Sequence, residues 1–134
     1  MVETVLLIDD NKATLFIQKK IMLQHDKFRN ILTFSEGSLA LEYLKMISVN
    51  FIKKPQLILL DLNMPSMNGW EFIEQYNQLD NNIIDHTRLV VLTTSHHPEN
   101  ISRSKNVKGI NEFMEKPLSK PMLDRILENY FMNP

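Results

Sequence analysis

The chain has 134 residues, a formal net charge of −1 and no cysteine, so it is sized for one domain with one substantial core, and disulfides, thiol catalysis and zinc–thiolate sites are excluded. Fifteen basic residues against sixteen acidic ones leave no field of the kind that nucleic acid selects. The longest apolar runs, about four residues, fall far short of the roughly 20 that a bilayer span requires, and Met1–Asp10 lacks the basic start of a signal peptide. The expectation is a single soluble, cytoplasmic domain over residues 1–134.

Val5-Leu6-Leu7-Ile8 opens the chain as an apolar run without alternation, and Leu57–Leu60 and Leu89–Leu92 repeat the pattern. Such runs predict strands buried on both faces, as in a parallel sheet. Asn30–Phe34 and Glu112–Met114 are weaker strand candidates. Helical spacing fills the intervals. Ala13, Phe16, Ile17, Lys20, Ile21 and Leu23 give a first helix, most of it apolar on one side. Ser35 is read as the N-cap of a second, which carries Leu39, Leu41, Leu44 and Ile47. Trp70, Phe72, Ile73, Tyr76 and Leu79 mark a third, with Gly69 at a tight position before it and Trp70 as a packing residue. Pro98–Gly109 offers only Ile101 and Val107 as apolar anchors, so a helix there is held by little packing. Ser119 is placed to cap the last helix, with Pro121 in its first turn and Met122, Leu123, Ile126, Leu127, Tyr130 and Phe131 along it. Strand and helix alternate five times, which predicts a doubly wound α/β domain with a five-stranded parallel sheet.

The chemically conspicuous residues fall at strand ends. Asp9 and Asp10 follow the first apolar run, Asp61 the third strand and Thr93 the fourth, and Lys116 closes the fifth. Open α/β sheets bind ligands in the crevice outside the carboxyl ends of their strands. Each residue has a bland role when taken alone: a helix N-terminal carboxylate, an Asx turn, a β-forming threonine, a surface lysine. Their arrival at one end of four strands is what the bland roles do not explain.

Three carboxylates in one crevice repel by roughly 4 kcal/mol per pair at about 4 Å and an effective dielectric near 20. A divalent cation relieves that repulsion, and an all-oxygen site with few protein ligands suits magnesium. A threonine hydroxyl and a lysine beside it suit a tetrahedral anion. Together with a carboxylate nucleophile, the set predicts phosphoryl transfer to an aspartate.

Four motifs carry a family resemblance: Leu7-Ile8-Asp9-Asp10-Asn11, Leu60-Asp61-Leu62-Asn63-Met64-Pro65 through Asn68-Gly69, Val91-Leu92-Thr93-Thr94-Ser95, and Phe113-Met114-Glu115-Lys116-Pro117. In this order and spacing the chain resembles a response-regulator receiver domain of the stand-alone chemotaxis type. The resemblance implies a flavodoxin-like fold with strand order 2-1-3-4-5, for which the same family is a standard example. It also implies that Asp61 is the phosphoacceptor, and that Asp9 and Asp10 hold magnesium with Asp61 and the backbone carbonyl of Asn63. Thr93 and Lys116 then meet the phosphoryl oxygens, Phe113 moves as Thr93 moves, and the Lys116–Pro117 bond is cis. The implied partners are a sensor histidine kinase or histidine phosphotransfer protein, and a downstream protein on the face formed by the fourth helix, fifth strand and fifth helix. Direct DNA binding, a membrane and turnover as an enzyme are not expected.

Thr94 departs from the small residue usual at its position and is expected to narrow access to Asp61, while Ser95 lies where phosphoryl lifetime is set. Val49–Pro55 and Asp80–Thr87 are slightly long connections. His96-His97 has no evident partner and is read as solvent-exposed rather than metal-binding. A hydrolase of the haloacid-dehalogenase type would carry an aspartate where Asn63 stands. A flavin carrier would place a hydroxyl- and glycine-rich loop where Asp9-Asp10 stands. A phosphorylation-independent interaction module leaves the constellation without a role. The receiver reading uses nearly the whole chain, with the last helix ending near Phe131, so output is expected to run through a protein partner unless the chain is part of a longer one.

Overall fold

The apolar runs become the three central strands of a five-stranded, all-parallel sheet. In the computed structural model, which describes residues 1–50, 54–94 and 98–131, the strands are β1 (Val2–Ile8), β2 (Phe28–Phe34), β3 (Leu57–Leu60), β4 (Arg88–Thr93) and β5 (Glu112–Glu115), in the order β2-β1-β3-β4-β5. The helices are α1 (Lys12–Gln24), α2 (Gly37–Asn50), α3 (Gly69–Tyr76), the single turn α4 (Asn81–Ile84), α5 (Pro98–Asn106) and α6 (Lys120–Tyr130). The expected strand order holds. The reversal of order lies between β1 and β3, where Ile8 pairs with Leu60, so Asp9 and Asp61 leave the sheet side by side.

Each central strand is buried on both faces because its alternate residues enter two different cores. Val5, Leu7, Leu57, Leu59, Val90 and Leu92 meet α1 and α6 through Leu15, Met22, Leu123 and Ile126. Leu6, Ile8, Ile58, Leu60, Leu89 and Val91 meet the opposite layer through Leu41, Leu44, Phe72, Ile73 and Ile83. Burial on this scale, at about 25 cal/mol per Å² of apolar surface, drives the fold.

Four details differ from the sequence reading. The face that α1 turns to the sheet is Leu15, Gln18 and Met22, not the stripe through Phe16 and Ile17. Phe16, Ile17 and Leu23 are 71%, 56% and 50% exposed; the helix is apolar on two sides, and spacing alone does not tell which side meets the core. Helix α2 starts at Gly37, two residues beyond Ser35, and Leu39 points outward while Leu41, Leu44 and Ile47 are buried. The connection Asp80–Thr87 is structured: Asp80 caps Asn82 N–H at 2.8 Å, Ile83 is fully buried, and the buried Thr87 hydroxyl reaches the carbonyls of Pro55 and Ile83 at 2.7 and 2.9 Å. Strand β2 also starts two residues earlier than expected, at Phe28.

Other expectations hold. Ser119 caps α6 by accepting from Met122 N–H at 3.4 Å, Pro121 lies in its first turn, and α5 buries no residue. Ser95, His96, His97, part of Val49–Pro55 and Met132-Asn133-Pro134 lie outside the described residues. Among the described residues no helix is long and apolar enough to cross a membrane.

Candidate functional site

Three strand ends and the loop after β5 build the site. Asp9 follows β1 and is 1% exposed. One of its oxygens accepts from Asn11 N–H at 2.9 Å, so the carboxylate is anchored as the chain turns into α1. Asn11 in turn caps that helix, accepting from Thr14 N–H at 3.0 Å. Asp10, between them, points to solvent. Asp61 follows β3 and is 5% exposed, its N–H bonded to the Ile8 carbonyl at 2.9 Å. Asp9, Asp10 and Asp61 each offer a carboxylate oxygen, and these oxygens lie within 4.8 Å of one another. The carboxylates expected at one edge are therefore brought together, in the all-oxygen geometry a hard divalent cation accepts.

Lys116 answers the negative charge from the far side. Its ammonium forms an ion pair with Asp9 and lies 3.5 Å from an Asp61 oxygen, and the Lys116 backbone N–H donates to the Thr93 carbonyl at 3.0 Å. The Lys116–Pro117 peptide bond is cis, as the resemblance implies. Burial pushes the Asp61 carboxyl above the usual carboxylate range and the Asp9 charge adds to this, while Lys116 and a backbone hydrogen bond from Asn63 pull it back. The Asn63 side chain is exposed.

Thr93 ends β4, 1% exposed. On the parallel ladder it faces Glu115, with Val91 facing Phe113, so Thr93 and Phe113 lie on the same face of the sheet one row apart. Phe113 is half-buried against the layer of α2 and α3. Thr94 is exposed.

The loop that carries Asp61 is locked by Gly69 and by the cap at the start of α3. Gly69 was expected at a tight position, and a Cβ there would lie 2.7 Å from the Leu62 Cα and 2.9 Å from the Asp61 carbonyl. Its N–H closes the loop onto the Leu62 carbonyl at 2.9 Å. The reciprocal cap between Asn68 and Glu71, at 2.9 and 3.2 Å, fixes the start of α3. The pattern Asn68-x-x-Glu71 signals that cap in the sequence itself. Trp70 packs at the helix start as expected, half-buried, with the Arg103 guanidinium 4.5 Å from its ring centre.

With this geometry established, comparison with known proteins gives the class. The family model for the response regulator receiver domain matches residues 5–128, and the chain belongs to that family. It is a receiver domain of two-component signalling. Among its relatives, the probable methanogenesis regulatory protein FilR2 of Methanothrix harundinacea is 28% identical over 92% of this chain and 78% of its own length. Response regulator Rcp1 of Synechocystis is 28% identical over 76% of this chain and 69% of its own. A crystal structure of a response regulator receiver protein from Dyadobacter fermentans superposes with a TM-score of 0.87 at 27% identity, covering 98% of this chain and 99% of that one.

Proposed function

We propose that Asp61 accepts a phosphoryl group from a phosphohistidine on a sensor histidine kinase or histidine phosphotransfer protein, and that the added charge reshapes the face formed by α5, β5 and α6. The observation that carries this reading is the convergence of Asp9, Asp10 and Asp61 within 4.8 Å beside an ammonium 3.5 Å from Asp61. An Asp61 oxygen attacks phosphorus in line as the P–N bond to the donor imidazole breaks, and the bond's electron pair stays on that nitrogen. Asp9, Asp10, Asp61 and the backbone carbonyl of Asn63 would hold magnesium, which when bound offsets the carboxylate repulsion and the charge of the incoming phosphoryl group. Lys116 and the Thr93 hydroxyl then meet the phosphoryl oxygens. As Thr93 turns inward it vacates space on the face it shares with Phe113, and that ring follows.

The exposed flank of α1 favours the docking of the donor. Ile17 and Ile21 line a groove of about 180 Å³ with Lys116, Pro117 and Leu118, next to the charged site. The helix carries Lys12, Lys19 and Lys20 and no acidic residue, which suits a donor surface that is acidic around an apolar centre. On this reading residues 1–134 form one receiver unit, a cytoplasmic phosphoacceptor whose only chemistry is its own phosphorylation and slow dephosphorylation, with output to a protein partner rather than to DNA or a membrane.

Acetyl phosphate and magnesium test the reading. Intact mass should show one added phosphoryl group, lost in Asp61→Asn and on omitting magnesium. No adduct at any time point would overturn it, and steady turnover of many phosphomonoesters would point to a hydrolase instead.

A further inference from the structure

Helix α5 buries no residue, yet two contacts tie it and the turn after it to α3. The exposed Arg103 places its guanidinium 4.5 Å from the ring centre of Trp70. Five residues later, just past α5, the Lys108 carbonyl accepts from the Asn77 side-chain amide at the end of α3 at 2.7 Å. The second tie is shaped by Gly109, which has φ +98° and sits where a Cβ would strike the Asn77 carbonyl oxygen. Trp70, Glu74 and Asn77 thus form the α3 side of a groove whose other side is Arg103 and Val107. The grip starts from the part of the molecule that is fixed: Trp70 follows Gly69 and lies inside the reciprocal Asn68–Glu71 cap that closes the Asp61 loop.

We propose that the Trp70–Arg103 stack is a latch that holds α5 against α3 in the unphosphorylated protein, and that it opposes the movement of α5 when Asp61 is loaded. Thr93, the residue that turns on loading, lies five positions before Pro98, where α5 starts. Loading therefore pulls on the start of α5 while Trp70 retains its last turn. A guanidinium over an indole face is attractive by the ring quadrupole and loses that attraction when displaced laterally. By linkage, a contact that favours the unloaded state lowers the affinity for anything that mimics the loaded one. The proposal rests on the assignment of Asp61 above.

The test is a double-mutant cycle on Arg103→Gln and Trp70→Leu, read by calorimetric titration of the magnesium-bound protein with beryllium fluoride, a phosphoryl mimic. Each single variant should bind the mimic about two- to fivefold more tightly than the wild type, the range an exposed cation–π contact supplies. The double variant should gain no more than either single, because both remove the same contact. Amide exchange over Ile101–Val107 in the unloaded protein should be faster in all three. Equal mimic affinity in all four proteins, weaker binding in the variants, or gains that add in the double variant would each overturn the latch while leaving Asp61 as the acceptor. Absence of any mimic binding by the wild type would overturn the acceptor assignment and the latch together.

Discussion

Helices α3 and α5 face each other across one groove and are built in opposite ways. Helix α3 buries Gly69, Phe72, Ile73 and Tyr76 within eight residues and is capped reciprocally at its start. Helix α5 is nine residues long and buries none. The first positions the loop that begins at Asp61, and the second follows Thr93 in the chain and belongs to the face proposed to report its loading. A site for phosphoryl transfer needs its nucleophile and charges preorganised, since positioning and electrostatics carry that chemistry. A surface that reports the transfer needs an element whose displacement costs little. The fold keeps the two requirements on separate helices.

Substitutions can break this contrast, and the largest effect falls on α3. Phe72 is fully buried and stacks on Tyr76 with ring centres 6.1 Å apart, so Phe72→Ala should cost about 3–5 kcal/mol in urea unfolding. Gly69→Ala should cost about 1–3 kcal/mol, because backbone at Leu62 and Asp61 must shift to admit the methyl group. That variant should also slow phosphorylation by acetyl phosphate, since the displaced backbone is the one that carries Asp61. At the other extreme, Ile101→Ala in α5 should change stability by less than about 0.5 kcal/mol, measured in the same way.

The charge of Asp61 sharpens the contrast in a different direction, because a preorganised site stores unfavourable terms. Burial raises the Asp61 pKa in the folded chain, so folding favours its protonated form. Its contribution to stability is full below the usual carboxylate range and is lost as pH rises through the raised value. Asp61→Asn should therefore raise the melting temperature of the metal-free protein at pH 7, with a gain that shrinks as the pH falls toward 4. Magnesium should stabilise the wild type by mass action and the variant much less. An equal gain from magnesium in both proteins would separate the ion from Asp61.

The sheet and the acidic cluster were legible because each depends on short stretches of chain. A run such as Leu57–Leu60 ending in Asp61 declares both its burial and the place where its carboxylate emerges. The face of α1 was not legible, since Phe16, Ile17 and Leu23 compete in the sequence with Leu15 and Met22 for the same core. The turn at Asn81–Ile84 escaped because one buried isoleucine and one capping aspartate are too little periodicity to declare a helix. Contacts between distant positions are hidden for a different reason. Lys116 reaches the carboxylate crevice as its strand end predicts, but its choice of Asp9 as ion-pair partner and the meeting of Arg103 with Trp70 across the α3–α5 groove leave no sign in the spacing along the chain. The same holds for His25, whose ring nitrogen bonds Asp124 at 2.6 Å and so ties α6 to the residue after α1.

The central claim is that one carboxylate of the three becomes the acyl phosphate. After incubation with acetyl phosphate and magnesium, borohydride reduction converts an aspartyl phosphate to homoserine, which peptide mass spectrometry locates. The account predicts homoserine at position 61 and at neither position 9 nor position 10. Label at Asp9 or Asp10, or equal label in Asp61→Asn, would contradict it.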